Sequence, residues 1–224
     1  MRLTLGCPTL RRYDLLAGMI RSAVAGSRTP DRYYIIDNGG GLMANGTPDF
    51  VQPEMVIGVP SENLGCAGSW NKMGHVMLLT DDDALLIAAD DILFECDTIG
   101  EMLHAMETED VDFVTAKPGG FSCFMVRKRL FDKVGYFDEQ FWPAYFEDND
   151  FHRRMQLSGI CKEAEVDAQY EHVNKGSQTV ASFNRAEKHE HNQRFEKNRD
   201  RYVAKWGGLP HEEKFDEPYN GLAE

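Results

Sequence analysis

The chain has 224 residues, with 37 Asp and Glu against 24 Lys and Arg, for a formal net charge of −13. A domain of that length buries roughly 70–75% of the surface its unfolded chain exposes, so it needs no staple to fold. The acidic balance speaks against a nucleic-acid backbone as the main partner, and no duplex nucleic acid is expected.

Cys7, Cys66, Cys96, Cys123 and Cys161 are scattered, odd in number and without a CxxC pair, which argues against a disulfide framework or a zinc site. No run approaches the ~20 apolar residues of a membrane span. The opening residues 2–7 form a strand-like segment too short and interrupted for the apolar core of a signal peptide. The expectation is a cytoplasmic protein with no membrane span.

In chain order, short β-rich runs alternate with helical periodicity, the pattern of an α/β fold with a mainly parallel sheet. The first strand ends at Pro8-Thr9, and a helix follows with Tyr13, Leu15, Leu16, Met19, Ile20 and Val24 on one face. Tyr33-Tyr34-Ile35-Ile36 reads as a second strand, stopped by Asp37-Asn38-Gly39-Gly40-Gly41; residues 55–59 read as a third. The turn Glu62-Asn63-Leu64-Gly65 leads into a helix over about 67–79. Residues 84–88 are almost wholly apolar, as a central strand covered on both faces should be. A helix is expected near 98–106, with strands at 111–116 and 121–126. A long charged helix over about 184–206 stops at Gly207-Gly208. Residues 1–208 are expected to form one domain, with a nucleotide-binding half to about 95, an acceptor-side half over about 96–180 and a C-terminal helix over about 184–207. Residues 209–224 read as an acidic tail or a docked irregular segment.

Two acidic groups carry the chemistry. Asp90-Asp91 follow the central strand, at the edge where open α/β sheets bind ligands. Adjacent carboxylates repel unless a cation or donors compensate, and Mg²⁺ or Mn²⁺ binds through one or two carboxylates plus substrate phosphates. The same residues would also serve as a turn or a helix N-cap. Asp81-Asp82-Asp83 is a denser acidic run, but it precedes the strand and reads as solvated loop.

The second group is Glu147-Asp148-Asn149-Asp150, which follows the aromatic Trp142, Tyr145 and Phe146. It suits a general base beside a sugar-binding platform, and equally an acidic first helical turn. His172, between a strand-like run and a Gly turn, has the chemistry to complete a metal site. Lys175 with Gly176-Ser177 could meet phosphate oxygens. Asp37 closes a strand at the ligand edge, where it suits a base or ribose contact or simply an Asx turn. The other histidines, His191 among them, have no comparable context and are given no role.

Taken together these segments resemble family 2 glycosyltransferases of the GT-A fold, over roughly residues 2–208. Cys7-Pro8-Thr9 is similar to the family's first-strand Pro-Thr, and Ile36-Asp37-Asn38-Gly39 to its base-binding turn. Asn63-Leu64-Gly65-Cys66-Ala67-Gly68-Ser69-Trp70-Asn71 resembles Asn-x-Gly-x-Ala-Gly-x-x-Asn, and Asp90-Asp91 stand where a DxD-type motif would. Gly135-Tyr136-Phe137-Asp138-Glu139, followed by Glu147-Asp148-Asn149-Asp150, resembles the acceptor-side signature. His172 to Ser177 is similar to the late His-x-x-x-Gly-Ser element, and Lys205-Trp206-Gly207 to a recurrent ending. Leu10-Arg11-Arg12 departs from the family's Tyr-Asn-Arg, and Asp90-Asp91 lacks the spaced Asp-x-Asp form.

The resemblance implies a Rossmann-like α/β/α sandwich and inverting, metal-dependent transfer of a sugar from a nucleotide-diphosphate donor (UDP-, dTDP- or GDP-linked) to a glycan or other hydroxyl acceptor. Asp148 would be the base; Thr9, Asp37, Asn63, Gly65, Asn71 and Asp90 would face the donor. Asp91 and His172 would hold Mn²⁺ or Mg²⁺, and Trp142 and Glu147 would lie on the acceptor side. The rivals are a sugar nucleotidylyltransferase, which should carry a Gly-rich, Arg-containing loop where Pro8-Thr9-Leu10-Arg11-Arg12 stands, and a non-catalytic nucleotide- or carbohydrate-binding module.

Overall fold

The structure is a computed structural model and describes residues 1–173 and 178–222. Eight strands form one curled sheet: β1 (Leu3–Thr9), β2 (Arg32–Asp37), β3 (Met55–Gly58), β4 (Ala84–Ala88), β5 (Ile92–Phe94), β6 (Phe113–Lys117), β7 (Cys123–Arg127) and β8 (Glu163–His172). Their order is β3-β2-β1-β4-β7-β6-β8-β5. The first four neighbours run parallel and β6 pairs parallel with β8; β4–β7, β6–β7 and β5–β8 are antiparallel. The sheet is thus mainly parallel only in its first half. The change comes at β7, which returns antiparallel beside β4.

Every residue of β4 is buried, and its side chains divide by the twofold period of a strand. Ala84, Leu86 and Ala88 enter a core with Leu16, Met19, Ile20 and Ala23 of α1 (Tyr13–Ala25) and Met102, Leu103 and Met106 of α3 (Thr98–Thr108). Leu85 and Ile87 point the other way. They meet Trp70, Met73 and Met77 of α2 (Gly65–Leu79), Leu130 and Phe131 of α4 (Lys128–Val134), and Phe151 and Met155 of α5 (Glu147–Ser158). The result is the expected α/β/α sandwich. The buried face of α1 runs through Ala23 rather than Val24, which is exposed.

The expectation that Asp81-Asp82-Asp83 is solvated fails at its middle residue. Asp82 is 2% exposed and accepts hydrogen bonds from Thr4 Oγ1 (2.8 Å), Thr80 Oγ1 (2.7 Å) and Arg32 Nη1 (2.7 Å). It ties together the chain entering β1, β2 and β4 at the sheet edge away from the site. Burial alone would raise its pKa, but these three donors outweigh that and hold it below the usual carboxylate value.

A short α6 (Gln178–Ser182) precedes α7 (Arg185–Trp206). The latter opens on a capping box, in which the Asn184 side chain accepts from the Glu187 N–H while the Glu187 side chain accepts from the Asn184 N–H. It ends at Gly207 in the left-handed conformation, as its sequence signals. Few of its side chains are buried, but those that are fix its place. Trp206 Nε1 donates to Asp150 Oδ1 (2.9 Å), and Lys205 Nζ bridges Asp138 and Asp150 at 2.7 Å each. Asn198 Nδ2 reaches the Ala144 carbonyl at 2.9 Å and those of Trp142 and Tyr145 at 3.3 Å. The helix thereby grips residues 142–146, the segment that delivers the α5 carboxylates. The acidic tail folds back on it: the Lys214 and Phe215 N–H groups donate to the Trp206 carbonyl (3.0 and 3.1 Å), and Tyr202 Oη donates to Glu213 (2.5 Å). No helix among the described residues is long and apolar enough to cross a membrane.

Candidate active site

A cleft of about 520 Å³ opens at the C-terminal ends of β1 and β4 and is closed by α5 and the start of α7. One wall is acidic. Thr9 Oγ1, at the end of β1, donates to Asp90 Oδ2 (2.6 Å), just past β4. Burial, opposed by the Thr9 bond and reinforced by the Asp91 charge, pushes Asp90 up to about 7. The β5–β8 pairing sets Ile92 opposite His172, and the Val173 N–H donates to the Asp91 carbonyl (2.9 Å). That register brings His172 Nδ1 to 3.7 Å from Asp91 Oδ1. The imidazole nitrogen is buried and has no hydrogen-bond partner, an arrangement native proteins leave only for a reason. An orphaned ring nitrogen beside a carboxylate is a donor set that fits a divalent cation. Among the described residues no group of three or more His, Cys, Asp or Glu is arranged to hold a metal, so the protein's share would be a partial shell.

The opposite wall is the first turn of α5. Tyr145 and Phe146 both have left-handed backbones, φ 75° and 73°, sparse territory for bulky side chains. This double twist aims the helix start, and with it Glu147 and Asp148, into the cleft. Asp148 Oδ1 accepts from the Asn149 N–H (2.8 Å), and burial outweighs such bonds to raise its pKa. Glu147 is more deeply buried, 3% exposed. Burial first, and the Asp148 charge second, push it well above the usual carboxylate range. Both carboxyls are shifted upward, and Glu147, the more deeply buried, further than Asp148.

Between the walls, Asn38 ties two turns together, accepting from the Leu64 N–H (2.9 Å) and donating to Ser69 Oγ (3.0 Å). Asn63 Oδ1 accepts from the Gly65 N–H (2.9 Å). Gly65 sits at φ +69°, where an added Cβ would lie 2.5 Å from the Pro143 carbonyl oxygen. The floor admits only glycine there.

Of the residues expected at the site, Thr9, Asn63, Gly65, Asp90, Asp91, Glu147, Asp148 and His172 line this one cleft. Asp37, Asn71 and Trp142 do not. Asp37 is buried, with one oxygen accepting from Gly39, Gly40 and Tyr13 and the other from the Leu42 N–H, so its own turn consumes it. Asn71 is bonded both ways to Phe137 and also to Glu139, holding α2 against the 137–139 segment. Trp142 donates to the Asn63 carbonyl (2.8 Å), and the Arg194 guanidinium lies 4.8 Å from its ring centre, covering one face. Lys175, Gly176 and Ser177 lie outside the described residues.

The cleft also contains residues without an expected role: Cys66, Trp70, Phe121, Phe183 and His191. Cys66 and Trp70 had a local signal, being four apart and thus on one face of α2. His191 makes edge contacts with Tyr145 (5.3 Å) and Phe183 (5.7 Å), and nothing local in α7 announces it.

No family model matches the chain, and no curated protein matches it in sequence. In three dimensions it is similar to the mannosyltransferase PcManGT from Pyrobaculum calidifontis, solved in complex with GDP-Man and Mn²⁺. The TM-score is 0.56 at 13% identity, over 74% of this chain and 55% of that one. It is similar to S. aureus TarS at TM-score 0.59 and 11% identity, over 91% and 43% of the two chains. For TarS 1–349 in complex with UDP-GlcNAc the TM-score is 0.59 at 11% identity, over 82% and 62%. The chain spans less than two thirds of the length of each of these proteins. At such identities the likeness is one of fold alone: the chain shares the α/β fold of these proteins.

Proposed function

We propose that this chain is an inverting, metal-assisted glycosyltransferase that moves a sugar from a nucleoside-diphosphate donor to an acceptor hydroxyl. The observation that carries this reading is the convergence of Asp90, Asp91 and His172 on one wall with Glu147 and Asp148 on the other, in a single cleft. The complexes of PcManGT with GDP-Man and of TarS with UDP-GlcNAc support a nucleotide sugar as the donor.

The nucleotide enters past Thr9, Asn38, Asn63 and Gly65, with Asp37 and Asn71 holding the turns that shape this end. Asp91 and His172 would hold Mn²⁺ or Mg²⁺. Bound there, the cation would supply Lewis-acid neutralisation of the charge that develops on the departing diphosphate. Asp90, with its raised pKa and Thr9 bond, faces the ribose or the metal's outer shell. The acceptor hydroxyl attacks the anomeric carbon on the face opposite the diphosphate. A carbon–oxygen bond forms there as the bond to the diphosphate breaks with its electron pair, and Asp148 takes the hydroxyl proton. Tyr145, 36% exposed at the rim with His191, lines the acceptor's approach.

A thermal-shift panel of UDP, GDP, dTDP, CDP and ADP, each with and without Mn²⁺, tests the donor site. At ~100 times its Kd, a ligand that binds only the folded protein stabilises it by roughly 2.7 kcal/mol. One nucleotide is expected to give a Mn²⁺-dependent shift that disappears in Asp91→Asn. A metal-dependent shift that survives in that variant would remove Asp91 as a ligand.

A further inference from the structure

Five buried side-chain polar atoms among the described residues have no hydrogen-bond partner: Trp70 Nε1, Arg127 Nε, Glu147 Oε2, Arg153 Nε and His172 Nδ1. The two arginines are bonded through another guanidinium nitrogen, to the carbonyls of Met106 and Phe215. The other three residues all line the cleft. His172 has its reason beside Asp91. Trp70 and Glu147 have none yet.

Neither group is placed to find a partner within the protein. Trp70, 6% exposed, is wedged edge-on between Phe124 (5.3 Å) and Phe137 (4.9 Å) and stacks near Phe121 (6.2 Å). A ring so enclosed cannot swing its N–H elsewhere. Glu147 lies beside Cys66, one turn before Trp70 on α2, and its Oε2 has no partner. Buried polar groups in native proteins are nearly always satisfied, so a donor and a carboxyl oxygen orphaned in one cleft point to a ligand that satisfies them.

We propose that Trp70 Nε1 and Glu147 Oε2 bind hydroxyl groups of the sugar being transferred, and so select which nucleotide sugar the cleft accepts. This rests on the glycosyl-transfer reading above and extends it to donor specificity. A sugar hydroxyl both gives and accepts a hydrogen bond, so it satisfies an indole N–H, which only donates, and a carboxyl oxygen alike. The Trp70 and Phe121 rings add apolar surface for the C–H face of a pyranose. Depth separates the two substrates: Trp70 and Glu147 lie buried in the cleft, whereas Tyr145 is exposed at the rim, on the acceptor's path.

The test compares wild type, Trp70→Phe and Glu147→Met by calorimetry with Mn²⁺ present. The probes are UDP, GDP, UDP-glucose, UDP-GlcNAc and GDP-mannose. Trp70→Phe keeps an aromatic ring and deletes the N–H; Glu147→Met keeps the length of the side chain and deletes the carboxyl. Each variant is expected to bind the free nucleotide as wild type does, and the cognate nucleotide sugar about tenfold more weakly, the equivalent of one lost hydrogen bond. If a folded variant binds the nucleotide sugar as tightly as wild type, that atom is met by solvent and its role is overturned. Should Trp70→Phe fail to fold, Glu147→Met still decides. Wild type that binds free nucleotide but gains nothing from the attached sugar would overturn the specificity role while leaving the donor site standing. Wild type that binds none of the probes would bring down the glycosyl-transfer reading and this inference with it.

Discussion

Asp148→Asn is expected to lower turnover by about 10²–10⁴-fold, the usual contribution of a positioned general base, while nucleoside-diphosphate binding persists. Asparagine fills the same volume and can still accept from the Asn149 N–H, so the α5 turn should survive. What it lacks is a lone pair basic enough to take the acceptor's proton. Burial raises the pKa of Asp148, which makes its ionised form the stronger base. The sign of the pH effect follows. The base works only when ionised, so activity falls as the pH drops through its pKa. That acid limb lies above the range of an ordinary aspartate and is absent from the residual activity of the variant. Nucleoside diphosphate released from the nucleotide sugar that the protein binds is the readout, and wild-type turnover in Asp148→Asn would take the base role from this residue.

Gly65→Ala is expected to cost about 3 kcal/mol of stability and to close the floor of the donor end. A left-handed backbone costs an L-residue roughly 1–2 kcal/mol. The new methyl would also meet the Pro143 oxygen at 2.5 Å, and such overpacking adds roughly 1–3 kcal/mol. The obstacle is backbone, and the Cys66 N–H binds that same carbonyl at 2.8 Å, so the clash is not relieved by a side-chain rotation. Moving Pro143 would drag the segment that aims Glu147 and Asp148. Urea denaturation reads the stability, and the nucleotide thermal shift reads the site. A variant with wild-type stability and binding would mean that the 62–65 turn and the 142–146 segment are not coupled as described.

The parts legible from sequence are those whose signal is local. β1, β2, β4, α1 and α2 announce themselves because a buried strand is a continuous apolar run and a one-sided helix repeats every 3.6 residues. The α7 cap and stop are written in Asn184, Glu187 and Gly207. β8 also carried a signal: acidic residues at 163, 165, 167 and 171 alternate with Ala164, Val166, Ala168 and Tyr170, as in a strand with one wet face. Only its last residues read as strand-like above.

What was not legible depends on long-range pairing. Asp82 counts as one more surface acid until Arg32 and Thr4 arrive beside it. Arg194, 52 positions along the chain, reaches back from α7 to cover one face of Trp142, a contact no local pattern announces. Asp37 suits a ligand contact until its own turn saturates both oxygens. In the other direction, His172 became more telling in three dimensions. The β5–β8 register sets it beside Asp91 and leaves its Nδ1 unmatched.

Transfer of a sugar with inversion is read out by NMR of the sugar released or transferred from the nucleotide sugar that binds. Mn²⁺-stimulated release of the nucleoside diphosphate is expected, with a first-formed product of opposite anomeric configuration to the donor. A product that keeps the donor's configuration would contradict the single displacement assisted by Asp148. A donor that binds but stays intact with water and with hydroxyl acceptors would contradict the claim that this chain is an enzyme.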